Sequence, residues 1–326
     1  MRTPLALLVD DPTPLVHLYR HHVYDLEPGQ AGTPTGDGRP LAETIPNEFL
    51  TKFCDLVAAR GIRGKFSIVP APAMRGDIVR GIAGYPPELT RAWLEEVRRL
   101  APAMDFGPEM INHSYALDLA TGAQLGETEH TWSQRQSRAT LTPYLARALA
   151  YFREAGLEAS GVTSPWMFGE AVEGEYVAAI AAAQREVFGR SLSWYCLRWG
   201  EDRPNGRPWV ALRQDGNVVV STPFTVADRL WDTIWKHGRL DRGGMAALAD
   251  VYVTSDGRGG IIPACLAAGG WPGIAVHWQC LWSNGHETGL AVLDEVAVRI
   301  NTILGDRVEW VSCLDLARRT AAGPGG

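Results

Sequence analysis

Two adjacent carboxylates, Asp10 and Asp11, end the apolar run Leu5-Ala6-Leu7-Leu8-Val9 and are followed at once by Pro12. Carboxylates hold cations and exchange protons, and a pair at one point can divide those jobs. A strand buried on both faces reads as a continuous apolar run, and proline stops its ladder. The pair is therefore expected on the rim of a buried sheet, at a strand's carboxyl end, where α/β folds gather their chemistry. Neighbouring residues on a strand point to opposite sides, so one carboxylate can hold a cation while the other handles a proton. In isolation, a solvated strand-ending turn explains Asp-Asp-Pro equally well. The other chemistry-bearing residues weigh against that turn. His113 follows an apolar stretch near Phe106–Ile111, and His277 closes Gly273-Ile274-Ala275-Val276-His277.

The elements that must position these residues alternate along the chain. Strands are expected at Leu5–Val9, Lys65–Val69, Phe106–Ile111, Ser160–Thr163, Leu192–Leu197, Val218–Thr222, Gly273–His277 and Val308–Cys313. Helical spacing of Phe49, Phe53, Leu56 and Val57 predicts a helix over Asn47–Arg60, with Gly61 just past its end. Further helices are expected at Glu88–Leu100, at Ser133–Ala155 with a break near Pro143, at Val177–Phe188, through much of Val226–Val253, and at Leu290–Leu304. Strict alternation implies parallel strands with helices outside, and the count favours a barrel, in which all strand carboxyl ends share one face. The chain reads as one domain over residues 1–326. Residues 13–46 and 117–132 are expected as loop insertions over that face. The first carries His17, His21 and His22, which suit either a metal or an exposed loop.

A net charge of -6 with no basic run argues against nucleic acid or an anionic membrane as partner. The five cysteines are scattered, with no Cys-x-x-Cys pair, so neither a disulfide framework nor a cysteine zinc site is expected. The N-terminal apolar run is too short for a signal peptide, and no stretch approaches membrane-spanning length. A cytoplasmic protein is expected, and a homo-oligomer is left open.

In order, the motifs resemble those of the polysaccharide deacetylase superfamily, the NodB-homology carbohydrate esterases and amidases. Val9-Asp10-Asp11-Pro12 resembles the family's Thr-Phe-Asp-Asp-Gly-Pro. Lys65-Phe66-Ser67-Ile68-Val69 is similar to its second strand, and Glu109-Met110-Ile111-Asn112-His113-Ser114-Tyr115 to its Glu-Ile-Gly-Asn-His-Ser-Tyr. Ser164-Pro165-Trp166 with Gly169 resembles Arg-Pro-Pro-Tyr-Gly, and Ala275-Val276-His277 the strand ending in the catalytic histidine. The resemblance covers roughly residues 4 to 315. It implies a distorted (β/α) barrel of about seven parallel strands, with Asp10 as general base, Asp11 and His113 on a divalent metal, usually Zn2+, and His277 as general acid.

Three departures stand out. Where the family has a second metal-binding histidine, this chain has Leu117. His130 is the favoured replacement, with Glu127 or Glu129, or no protein ligand at all, as alternatives. The family's base-orienting arginine is absent, and Thr163 and Ser164 stand in its place. Asp228-Arg229-Leu230-Trp231-Asp232 matches a fourth motif no better than it matches a helix bearing surface acids.

The implied reaction is removal of an acyl group, N-acetyl or O-acetyl, from a sugar, an oligosaccharide or a related small amide. Of the 12 tryptophans, eight lie between Trp194 and Trp282. Trp166, Tyr115, Trp278 and Trp282 border motif positions and are candidates for stacking on a substrate, although indoles fill cores as readily. The alternatives are a metal-free amidohydrolase acting on a cyclic amide or ureide, a glycoside hydrolase pairing Asp10 with Glu170 or Asp232, and a non-catalytic carbohydrate-binding homologue.

Overall fold

The computed structural model describes residues 2–15, 38–199, 206–235 and 239–323. The histidines 17, 21 and 22 and much of the expected first insertion lie outside them. The fold is a mixed α/β arrangement of mostly parallel strands. The first strand, β1 (Thr3–Asp10), takes its place from a run of apolar side chains on both faces, all buried. Helix α1 (Asn47–Arg60) follows, and Gly61 ends it in the left-handed conformation at φ 63°. Strand β2 (Gly64–Ile68) pairs with β1, helix α2 (Pro87–Arg98) crosses back, and β3 (Met104–Pro108) pairs with β2. On its other side β1 pairs with β10 (Gly273–His277), and β11 (Val308–Trp310) also pairs with it. A second sheet holds β6 (Gly161–Thr163), β7 (Leu192–Cys196) and β9 (Asn217–Ser221) in parallel, with β8 (Trp209–Gln214) antiparallel at its edge. Isolated parallel bridges, Phe106 with Ala159 and Val226 with Ile274, link the two sheets at both flanks.

Alternation along the strands separates two layers. Leu5, Leu7, Val9, Phe66, Ile68, Phe106, Val162, Tyr195, Val219, Ile274 and Val276 join the large cluster that includes the helices. Ala6, Leu8, Trp194, Cys196, Val220 and Ala275 form a smaller cluster on the opposite strand face. By the period of two, Asp10, Lys65, Ser67, Thr163 and His277 continue that second face. Trp194 packs on this face directly against Gly161. A Cβ on Gly161 would lie 2.1 Å from the indole, so only glycine fits beside it.

Several expectations need correction. Pro143 lies inside an unbroken helix, α4 (Arg138–Glu154), and the break falls earlier, after the short helix α3 (Glu129–Ser133). The apolar face of α4, including Leu141, Tyr144, Leu145 and Leu149, is buried and holds the helix through the one missing N–H. The second insertion is no loop: β4 (Tyr115–Leu117) and β5 (Gln124–Thr128) form a hairpin. Between Val226 and Val253 the described helices are α5 (Asp232–Trp235) and α6 (Arg242–Tyr252), and Val226 instead runs beside β10. The last strand stops at Trp310, and Cys313 opens a further helix, Cys313–Ala322.

Candidate active site

Register brings the strand-end residues together. Asp10 is paired with His277 across β1 and β10, and with Ser67 across β1 and β2. Asp11, just beyond the strand, adopts a left-handed φ of 63°, as do His113 at 56° and Trp166 at 43°. Non-glycine residues held this way cost about 1–3 kcal/mol each and gather at functional sites.

Asp11 is 1% exposed, and neither of its carboxylate oxygens accepts a hydrogen bond from a described residue. Its backbone N–H donates to Glu109 Oε2 at 2.9 Å. His113 Nε2 lies 3.3 Å from Asp11 Oδ1 and 3.7 Å from Glu109 Oε1. One possible ligand atom from each of Asp11, Glu109 and His113 fits within 4.8 Å of the others. A buried carboxylate without donors, facing a second carboxylate and an imidazole nitrogen, is a donor set that suits a divalent cation. Burial, then the nearby Glu109, raises the Asp11 carboxyl above the usual range, and burial raises Glu109 likewise. Burial also pushes His113 down to about 3, leaving the neutral ring a metal requires.

His113 sits where it does because Glu129 holds its backbone. The buried Glu129 carboxylate accepts the N–H groups of Ile111 at 3.0 Å, Asn112 at 3.3 Å and His113 at 2.8 Å, and the Tyr144 hydroxyl at 2.7 Å. Those bonds commit Glu129 to the loop, so it braces the backbone that carries His113. Glu127 pairs with Arg135 at the surface. His130, on α3, is half-buried and is not among the residues grouped around Asp11. Among the described residues Glu109, and not the expected His130, is the third group beside Asp11 and His113. The available signal was the spacing Glu109-x-x-x-His113 inside one motif.

Asp10 is 5% exposed and accepts a hydrogen bond from the wholly buried ammonium of Lys65. Burial raises the Asp10 carboxyl to about 6, with Lys65 opposing the rise. His277 Nδ1 lies 2.8 Å from Asp228 Oδ2, and the same oxygen accepts the His277 backbone N–H at 2.9 Å. That contact engages the Nδ1 side of the ring. Burial would lower the His277 pKa, but the bond and charge of Asp228, with Asp11 and Asp10, raise it to about 9. Asp228 is a buried partner of the histidine, not a surface acid on a helix. Glu170 is occupied by Arg198 at 2.7 Å.

The aromatic candidates separate. Trp166 packs edge-on against His113, with ring centres 4.0 Å apart, and Trp231, which the sequence did not single out, lies 4.4 Å from the His277 ring. Trp278 is wholly buried, with Phe49, Phe53 and Phe66 within 5.4 Å, so it packs the core and lines no substrate surface. Trp282 is half-buried against Phe49, and Tyr115 is half-buried on β4 opposite Thr128.

No family model matches the chain, and a search of curated proteins finds no match. Among solved structures it is similar to a candidate polysaccharide deacetylase from Mycobacterium smegmatis, at 14% identity over 84% of this chain and 77% of that one, with a TM-score of 0.50. It is also similar to a GH57-type branching enzyme from the archaeon Pyrococcus horikoshii, at 12% identity over 98% of this chain and 70% of that one, with a TM-score of 0.49. A third similarity is to a 4-alpha-glucanotransferase from Thermococcus litoralis, at 11% identity over 98% and 41% of the two chains and a TM-score of 0.46. At 14% identity the first similarity shows a shared fold. None of the described helices is long and apolar enough to cross a membrane.

Proposed function

We propose that this chain is a divalent-metal-dependent hydrolase that removes an acyl group, N-acetyl or O-acetyl, from a sugar or a related small amide. In this reading the strands close as a distorted barrel of the polysaccharide deacetylase kind, with its site on the strand carboxyl ends. The observation that carries it is the Asp11 carboxylate, wholly buried and without a described hydrogen-bond donor, facing His113 and Glu109. Asp11, Glu109 and His113 would hold the ion, with zinc as the first candidate. When bound, a divalent cation polarises a carbonyl oxygen and acidifies water.

The chain's own groups supply the proton transfers. Asp10, raised to about 6, is ionised at neutral pH and can take a proton from attacking water on a carboxylate oxygen. His277, raised to about 9, is protonated there and can deliver a proton from Nε2 to the leaving amine or alkoxide. At neutral pH the pair thus presents an ionised carboxylate and a charged imidazole, one able to accept a proton and the other to donate one. Asp228 on Nδ1 fixes the ring and supports its charge. Trp166 and Trp231, each packed on one of the two histidines, offer indole faces on which a sugar ring could stack. The fold shared with a candidate polysaccharide deacetylase supports a saccharide substrate.

The test is acetate release from acetylated amino sugars and oligosaccharides by chelator-stripped and metal-reloaded protein, with metal content measured alongside. Asp11→Ala should lose both bound metal and acetate release. Full turnover by metal-free protein, or full metal occupancy in Asp11→Ala, would refute the reading.

A further inference from the structure

Lys65 is wholly buried on β2. Its ammonium donates to Asp10 Oδ1 and, at 2.8 Å, to Ser67 Oγ, which lies 2.7 Å from Thr163 Oγ1. The Phe224 ring centre stands 5.6 Å from Nζ. An ammonium removed from water persists only where a counter-charge and acceptors meet it. Here the counter-charge is Asp10, although Asp11 is next in the chain and Glu109 is bonded to Asp11's own N–H. The two adjacent aspartates therefore have different partners. Asp10 is held by a cation of the protein, and the Asp11 oxygens accept no hydrogen bond from a described residue. Asp10, Asp11 and Glu109 against one ammonium leave two negative charges, the charge of one divalent cation.

We propose that Lys65 is a positioning residue that reserves Asp10 from the metal. It settles which of the two neighbouring aspartates binds the ion and which is kept for proton transfer. The proposal rests on the metal-binding reading above. Without the ammonium, Asp10 would be a buried carboxylate lacking its partner, beside a divalent cation able to replace it. Asp10 would then join the ligand set.

Co2+ reports this directly, because its visible absorption follows the number and type of its ligands. Chelator-stripped protein is titrated with Co2+, with circular dichroism checking the fold. Lys65→Met should alter the Co2+ spectrum and bind the ion about tenfold or more tightly, as expected when a charge partner at short range is removed. Lys65→Arg should keep the parent spectrum. The doubly neutral Lys65→Met/Asp10→Asn variant should return to parental affinity. A role confined to packing would shift the melting temperature and leave the spectrum alone. If Lys65→Met does not fold, Asp10→Asn carries the test, since an uncompensated ammonium beside the site should weaken Co2+ binding about tenfold. Folded Lys65→Met with the parental spectrum and affinity overturns the role of Lys65, as does Asp10→Asn with unchanged affinity. A parent protein that binds no Co2+ overturns the metal reading and this proposal together.

Discussion

Replacing Asp228 by asparagine should discharge His277 at neutral pH. The histidine is held at about 9 against an ordinary value of 6.5, and among the raising influences Asp228 comes first, through both hydrogen bond and charge. Holding the ring at about 9 corresponds to about 3 kcal/mol of preference for its charged form. Asparagine keeps the size of the side chain and an oxygen able to accept the Nδ1 proton and the backbone N–H, so geometry is preserved while the charge is lost. Burial, which opposes the charged ring, then meets only the more distant carboxylates, and the pKa should fall to near 6.5 or below. Titration of the His277 ring resonance by NMR, on chelator-stripped protein, measures this directly. Stability provides an independent readout with a defined sign. A histidine whose pKa is raised by folding contributes stability that is fully present below about pH 6.5 and is lost as pH rises through about 9. The parent should therefore lose up to about 3 kcal/mol of this contribution across that window, and Asp228→Asn should show a flatter profile. A ring in Asp228→Asn that still titrates near 9 would refute the argument, because the charge of Asp228 could not then be its source.

Three other substitutions separate ligand from brace. Glu129→Gln weakens the acceptor of three backbone N–H groups and the Tyr144 hydroxyl, so it should cost about 1–3 kcal/mol in chemical unfolding. Because the loop it holds carries His113, metal affinity should also drop roughly 10–100-fold by isothermal titration. Glu109→Gln should weaken metal binding at least as much, whereas His130→Ala should leave it within about twofold of the parent, given that brace losses already reach 10–100-fold. The reverse order in the same titrations would return the third ligand to His130.

The strands buried on both faces were legible because such strands leave a simple trace. Leu5–Val9 and Gly273–His277 are apolar runs closed by charged or titratable residues, and both form strands with those residues at the end. Helix α1 was equally plain, since Phe49, Phe53 and Val57 recur on one face and Gly61 supplies the left-handed stop. Errors arose where two periodicities overlap. Leu230, Trp231 and Ile234 have helical spacing, yet the chain before them runs beside β10, with Ala275 N–H donating to the Val226 carbonyl at 2.9 Å. Pro143 misled because a proline marks a break only where packing does not override it, and Tyr144, Leu145 and Leu149 are buried around it.

The site was legible as a set of strand ends but not as a set of pairs. Asp10, Asp11, His113 and His277 each end or follow an apolar run, and local pattern suffices to place them on the rim. Their partners come from register. Glu109 reaches Asp11 across 98 positions, Lys65 reaches Asp10 across 55, and Asp228 reaches His277 across 49. No local pattern encodes such separations. One trace was nonetheless present. In Lys65-Phe66-Ser67-Ile68 the polar residues alternate with apolar ones, which ordinarily places the polar face toward water. Strand β2 is covered on both sides, and all five of its residues are buried. A lysine on the inner face of such a strand requires a buried counter-charge, and the neighbouring strand in register ends in two aspartates. The alternation in β2 and the Asp10-Asp11 pair thus jointly specify a charged, enclosed rim, although neither does so alone.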